Sequence, residues 1–529
     1  MHKGSALIAA LMACAAPAFA QSDDDAPLSA IDWLSETVEQ PETIAVVPRD
    51  PRGTQDTRGT RGTRIPPEDE DPVASSATTP SVSVQTLGGP APRVIGVIPP
   101  EISGLPAEIW TGSDADTLAA LMMAQQVDTL PALQNLVMTL AMAQANPPFQ
   151  TPDAPQFIVS RIDKLLDFGA LEPALSMLEI TGTGNNALFR RWFDVALLTG
   201  TENRACRALR NIPDIAPTPA ARIFCLARSG DWSAAALTLN TSHTLGDLDD
   251  DTAYLLARFL DPDLFEDEPP LTPPTPMTPL TFRMFEAIGD PQTTQGLPRA
   301  FSHADLRPNV GWKAQLEAAE RLTRSSAISE STLIDLYTAR VPAASGGVWE
   351  RAKAVNALDA ALNAEDPDEI ADALTDLWSE ARPIGATVAL AQYFAPRLLE
   401  AEIAPRAYNT LFSILLLSDQ YETAALNADL AATNPFLAAL AKGDPSEAPA
   451  IRPTYPVLQE AFATDPIADL VDMSANGQTG EAILRTIATV QQGLDGDRLA
   501  LREGLATLRA LGLEDVARRA ALQYAILPS

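Results

Sequence analysis

The chain has 529 residues, enough for several domains, and a formal net charge of −32 at pH 7. An acidic excess of that size repels nucleic acid and anionic lipid headgroups, so neither is an expected partner. Aromatic residues are only 6% of a chain that is 46% hydrophobic, because much of the apolar content is alanine, which favours helices and lets them approach closely.

The N-terminus reads "MHKGSALIAALMACAAPAFAQS". Lys3 supplies a positive start, Ala6 to Ala16 an apolar core, and Ala18-Phe19-Ala20 the small residues of a cleavage site. This predicts a signal peptide over 1–20, cut between Ala20 and Gln21. The apolar run is too short to cross a bilayer, and Asp23, Asp24 and Asp25 follow at once. The rival reading is a lipoprotein box, Leu11-Met12-Ala13-Cys14, with Cys14 acylated. Met12 in the box and the complete Ala-Phe-Ala site favour cleavage at Ala20. No later window is apolar enough for a membrane span, so the expected location is periplasmic or secreted. Cys206 and Cys225 then remain as an even pair in an oxidising compartment.

Residues 21–104 read as a disordered linker. Between Trp33 and Trp110 there is no aromatic residue and no lysine, only Arg-Gly-Thr repeats, an acidic run and Ser/Thr/Pro-rich sequence. Such composition buries too little apolar surface to offset chain entropy. Arg52, Arg58, Arg61 and Arg64 have no aromatic neighbours on which bases would stack, so they read as a solvated tether. One island, residues 29–39, puts Ile31, Leu34 and Val38 on one helical face with Trp33 beside it. It reads either as a short helix packing on the protein's own body or as a docking motif for a partner.

From residue 105 the pattern turns helical, with no convincing strand alternation. "SDADTLAALMMA" predicts an N-cap at Ser113, an acidic first turn, and an apolar face of Leu118, Leu121 and Met122. Asp366-Pro367 and Asp465-Pro466 read as helix starts, Asp366 with Glu369 as a capping box. Two proline-rich breaks set the boundaries: a helical block at 105–262, a linker at 263–280, and a helical block at 281–529 possibly divided near 450. Within the first block, "NRACRALRNIPD" and "PAARIFCLARSG" read as successive antiparallel helices that bring Cys206 and Cys225 within bridging range.

Four stretches share the spacing Leu-x3-Gly-x4-Ala: Leu165, Gly169, Ala174; Leu226, Gly230, Ala235; Leu415, Asp419 in place of glycine, Ala424; and Leu508, Gly512, Ala517. A leucine ending one helix, a glycine in the left-handed cap and a small alanine in the next helix are the requirements of a tight helical hairpin. These residues resemble tetratricopeptide-like repeats, and Trp232 and Tyr421 fall where that family favours an aromatic. Leu171 and Glu514 occupy that site elsewhere, and no tandem period of about 34 residues can be traced. The resemblance implies an all-α array of helical hairpins, an α-solenoid, that binds protein or peptide segments without catalysis; a compact multi-helix bundle is the alternative.

Candidate chemistry is sparse. His243 and His303 have no spaced histidine or cysteine partner, which leaves no metal site in prospect, and no Gly-x-Ser-x-Gly motif supports a triad. Asp247, Asp249 and Asp251 begin like a calcium loop, but Thr252 and Arg258 replace its glycine and glutamate; an acidic first turn explains them better. Gly346-Gly347 before a helix, and Arg307, Trp312 and Lys313, read as a helix connection and a helix start rather than an anion site or a basic patch. No cofactor motif is present. The expected function is an exported, non-catalytic scaffold or assembly factor of the cell envelope with a protein or peptide partner. An envelope enzyme such as a peptidoglycan hydrolase, or a structural spacer, is the alternative.

Overall fold

The computed structural model describes residues 94–148 and 155–527. The leader and its Ala20–Gln21 junction, the island with Ile31, Trp33, Leu34 and Val38, and the arginines of 52–64 lie outside the described residues. Among the described residues the fold is all-helical, with 26 α-helices, no strand, and only the isolated bridges Ile95–Ala145 and Ile98–Ala143.

The four spaced stretches form helical hairpins. Helix Pro155–Phe168 turns into Leu171–Thr181, Pro219–Arg228 into Trp232–Leu245, Tyr408–Leu416 into Tyr421–Leu426, and Arg498–Ala510 into Glu514–Ile526. Gly169, Gly230 and Gly512 adopt φ of +80°, +84° and +83°, the left-handed conformation that only glycine takes without strain. Ala174, Ala235, Ala424 and Ala517 are all fully buried, where the second helix of each hairpin meets the first. The Asp419 hairpin turns differently: Ser418 Oγ accepts from the Gln420 N–H at 3.1 Å, and Asp419 receives Arg519 at 2.6 Å. A hydroxyl turn therefore replaces the glycine. Of the two aromatics at the shared site, Tyr421 is buried and donates to Asp515 at 2.8 Å, whereas Trp232 is 51% exposed.

Two helix starts depart from the sequence pattern. Helix Ala115–Met123 is capped by Asp114, which accepts from the Thr117 N–H at 2.9 Å; Ser113 lies one residue outside, buried in the preceding turn. A carboxylate complements the helix dipole better than a hydroxyl. Asp465-Pro466 does not open its helix, which runs Ala468–Ala475 after Ile467. The Ile467 N–H donates to Thr507 Oγ1 at 2.9 Å, so a neighbouring helix supplies the cap that sequence assigned to Asp465. Asp366 does cap Pro367–Ala381, accepting from Asp368 and Glu369 N–H groups.

No helix runs between Phe265 and Pro279, and residues 442–454 are likewise free of helix. The helices on either side of these breaks nevertheless contribute to one continuous hydrophobic core. The chain also returns to its beginning. Gln523, in the last helix, caps the start of Pro131–Met142 by accepting from the Ala132 N–H at 2.9 Å. Gln125 Nε2 donates to Leu484 O at 3.2 Å, and the Gly480 N–H to Ile109 O at 2.9 Å. Gly480 is glycine because a Cβ there would stand 2.4 Å from the buried Trp110 ring. A one-dimensional stack joins only neighbours; here the first helices touch both the middle and the end of the chain.

Candidate functional site

Between the first helices and the middle of the chain there is a cleft of about 380 Å³. Its walls come from Pro131 and Asn135, from Glu172 at the start of Leu171–Thr181, from His303 in the short helix Ser302–Asp305, and from residues 323–332 with Val388 and Gln392 opposite.

Helix Trp312–Thr323 ends at this cleft in an unusual turn. The Ala327 N–H reaches back to Leu322 O at 3.0 Å, which requires a left-handed residue one position earlier, and that residue is Ser326 with φ of +53° instead of glycine. Its hydroxyl supplies the reason: Ser326 Oγ donates to Gln134 Oε1 at 3.0 Å. Gln134, almost wholly buried, donates to Val127 O and Arg324 O, both at 2.9 Å, so every polar group of its amide is used. Ser325 Oγ donates to Phe168 O at 2.7 Å. The turn is thereby tied to both neighbouring helices.

His303 lies in the wall with Nε2 2.7 Å from Gly169 O. A carbonyl can only accept, so Nε2 carries the proton and Nδ1 keeps its lone pair. Burial lowers the imidazole pKa to about 4, against a smaller opposing effect of the Gly169 carbonyl, and the ring is neutral near pH 7. Ser329 Oγ caps Glu330–Thr338 by accepting from the Thr332 N–H at 3.3 Å and bonds the Thr332 hydroxyl at 2.9 Å. Gln392 exchanges bonds with Asp419 at 3.1 and 3.2 Å. The groups left over are Thr323 Oγ1, buried and without a partner, and the side chains of Asn135, Glu172 and Glu330, which bond no described residue.

The other candidates have structural roles. Sulfurs of Cys206 and Cys225 stand in disulfide geometry, with α-carbons 5.0 Å apart on adjacent helices. His243 meets Asp250 at 2.9 Å on the surface. Asp249 caps helix Asp250–Leu260 through the Thr252 N–H at 2.7 Å, with Asp250 and Asp251 in its first turn. The Gly346 N–H donates to the Glu350 carboxylate at 3.0 Å, so the chain's own anion occupies that position and holds its carboxyl below the usual range. Trp312 is buried against Trp349 and donates to Leu336 O at 2.8 Å; Arg307 pairs with Glu286, and Lys313 with Glu317.

Sequence reading singled out His303 but missed Thr323, Glu172 and Glu330. They come from two distant stretches, around 172 and over 323–330, which the Ser325–Phe168 and His303–Gly169 bonds bring together. Among the described residues no helix is long and apolar enough to cross a membrane, and no three His, Cys, Asp or Glu side chains gather as metal ligands. No family model, curated protein or solved structure matches the chain.

Proposed function

We propose that this protein is an exported, non-catalytic binding scaffold of the bacterial cell envelope. In this reading a signal peptide over 1–20 delivers it, a tether follows that ends before Ile95 and Ile98, which pair with Ala145 and Ala143, and a tetratricopeptide-like array of helical hairpins forms the body. The observation that carries the reading is the chemistry of the cleft. Burial lowers its imidazole pKa to about 4, well below the range that suits a general base near pH 7, and most of its hydroxyls and amides are engaged in caps and cross-helix bonds that keep the walls in place. Cys206 and Cys225, placed to bridge, support an oxidising compartment.

The test has two arms. Intact-mass measurement of the cell envelope fraction should give a chain starting at Gln21; a species starting at a lipid-bearing Cys14 would replace the soluble form by an anchored one. Crosslinking in intact envelopes should then recover a defined protein partner with the full chain, and Trp33→Ala with Leu34→Ala should weaken its recovery. Cleavage of purified peptidoglycan or a generic peptide by the purified protein would favour the envelope-enzyme alternative instead.

A further inference from the structure

We infer that an exposed arginine face on helices Glu202–Asn211 and Pro219–Arg228 docks the acidic run Glu68-Asp69-Glu70-Asp71 of the same chain. The inference takes the tether from the proposed reading and adds where that tether rests.

Residues 203–229 hold five arginines and a single acid, Asp214, in a chain whose net charge is −32. Arg204 pairs with Glu179 and Arg228 with Glu202, but Arg207, Arg210 and Arg222 are exposed and bond no described residue. Asp214, in the connection between the two helices, pairs with none of them. The helix register brings the three together. Arg228 meets Asn203 at 3.0 Å and Glu202 at 3.1 Å at one end of the pair, and further along Cys206 and Cys225 have α-carbons 5.0 Å apart. The helices therefore run antiparallel with position 210 level with 221, beside Arg222. At about 3.6 residues per turn, Arg210 stands roughly 40° around its helix from Cys206, and Arg222 roughly 60° around from Cys225 in the same sense. In an antiparallel pair those rotations open on one solvent face, and Arg207 stands on it one turn from Arg210.

Three like charges on one face repel each other, so an anion that sits among them is favoured. The protein's own acidity repels large polyanions, whereas a short acidic segment of the same chain is already present. Exposed ion pairs are individually weak, so a separate acidic peptide would bind poorly; linkage supplies the missing concentration. The distance fits. The described chain starts at Val94, and Ile95 O receives Arg161 of helix Pro155–Phe168 at 3.2 Å. That helix, Leu171–Thr181, Asn186–Thr199 and Glu202–Asn211 pack in succession. At about 8–10 Å between neighbours, the arginine face lies within about 30 Å of the chain's entry. Asp71 precedes Val94 by 23 residues, and a flexible chain of that length spans about 26 Å r.m.s.. Linkage is most effective when those two lengths match. Asp23, Asp24 and Asp25 lie on about three times as much chain and are the weaker candidates.

Carbodiimide coupling on the full chain at low salt, mapped by mass spectrometry, tests the docking. Arg210→Lys with Arg222→Lys keeps the charge and introduces amines that the reagent joins to adjacent carboxylates. Both sites are exposed, so the variant should melt like the parent. The introduced amines should join residues 68–71 about tenfold more often than Lys442 does, which is exposed and equally unpaired. Joining to residues 23–25 should be about fivefold rarer than to 68–71, as chain length dictates. Salt at about 0.5 M should abolish the coupling. Coupling no more frequent than at Lys442, equal coupling to residues 23–25, or no coupling at all overturns the inference. In a mixture of isotope-labelled and unlabelled chains, joined heavy and light peptides would assign the face to a second copy and overturn it too. Coupling at 68–71 with no protein partner recovered keeps this inference and removes the scaffold reading; a recovered partner without that coupling does the opposite.

Discussion

Two buried carboxylates in this protein have opposite surroundings. Glu320 receives Arg351 through two guanidinium nitrogens, Nε and Nη2, at 2.6 and 2.7 Å, and the Tyr337 hydroxyl at 2.7 Å. That network ties together helices Trp312–Thr323, Glu330–Thr338 and Val348–Ala364, and Tyr337 has its pKa raised by burial and by the Glu320 charge. Asp194, in helix Asn186–Thr199, has its Oδ2 3.9 Å from Arg190 Nε and no hydrogen-bond partner for that oxygen among the described residues. Burial raises its pKa to about 7, against the lowering effect of Arg190 and Arg191, while nearby Asp163 raises it further. Asp163 is itself shifted upward by burial although Arg191 binds it twice. Burial favours the neutral form of a carboxyl and bonds to its lone pairs oppose that shift; at Asp194 Oδ2 no such bond opposes it.

The most direct way to break the comparison is to orphan the satisfied group. Arg351→Ala leaves Glu320 buried without its counter-ion and should cost about 3–5 kcal/mol in urea unfolding, provided unfolding stays cooperative. A loss under about 1 kcal/mol would mean that water replaces the arginine.

Covalent and ionic links can be compared on a single helix pair. Glu202–Asn211 and Pro219–Arg228 are joined by the Cys206–Cys225 pair, 19 residues apart in sequence, and by Glu202–Arg228 at 3.1 Å. Replacing both cysteines by serine should cost about 3 kcal/mol on the chain-entropy account if the bridge forms. Equal stability with and without reductant would show free thiols.

The unsatisfied carboxylate should respond in the other direction. A folded pKa raised above the unfolded one means that the native state binds more protons, so stability falls as pH rises from about 4 to about 7. Asp194→Asn should remove that fall and stabilise the protein at pH 8, by about 1 kcal/mol. Destabilisation at pH 8 would show that the charge is needed and that Arg190 compensates it.

His303 supplies the opposite slope, and the smallest effect. Its folded pKa of about 4 lies below the ordinary value of 6.5, so stability falls as pH drops from about 6.5 to 4. His303→Gln keeps a donor for Gly169 O and should flatten the acid limb of the melting-temperature profile while leaving pH 8 little changed. A profile identical to that of the parent would mean the imidazole is solvated.

The spacing of Leu165, Gly169 and Ala174, and of its relatives, specified local hairpins because a left-handed turn and a close helix contact each demand one residue type. Short-range signals of that kind survive in sequence whatever surrounds them. Asp465 shows the limit: its side chain had the chemistry of a cap, yet Thr507, 40 residues beyond Ile467, took the role. Ser326 shows it again, a left-handed serine tolerated because Gln134 from a distant helix receives its hydroxyl.

The all-helical character, the hairpin turns, the proline breaks, the acidic charge and the proximity of Cys206 and Cys225 are legible in the amino-acid order. Each follows from residues close in the chain or from composition, where propensity and periodicity act. The packing of the first helices against both the middle and the end of the chain is a tertiary outcome, and the contacts with the middle set which side chains line the cleft. Glu172 meets Thr323 and Glu330 because Ser325 bonds Phe168, His303 bonds Gly169 and Gln134 bonds Arg324, across as many as 190 residues of sequence. Pairings at that separation depend on the shape and polarity of whole helix faces, which no local spacing encodes.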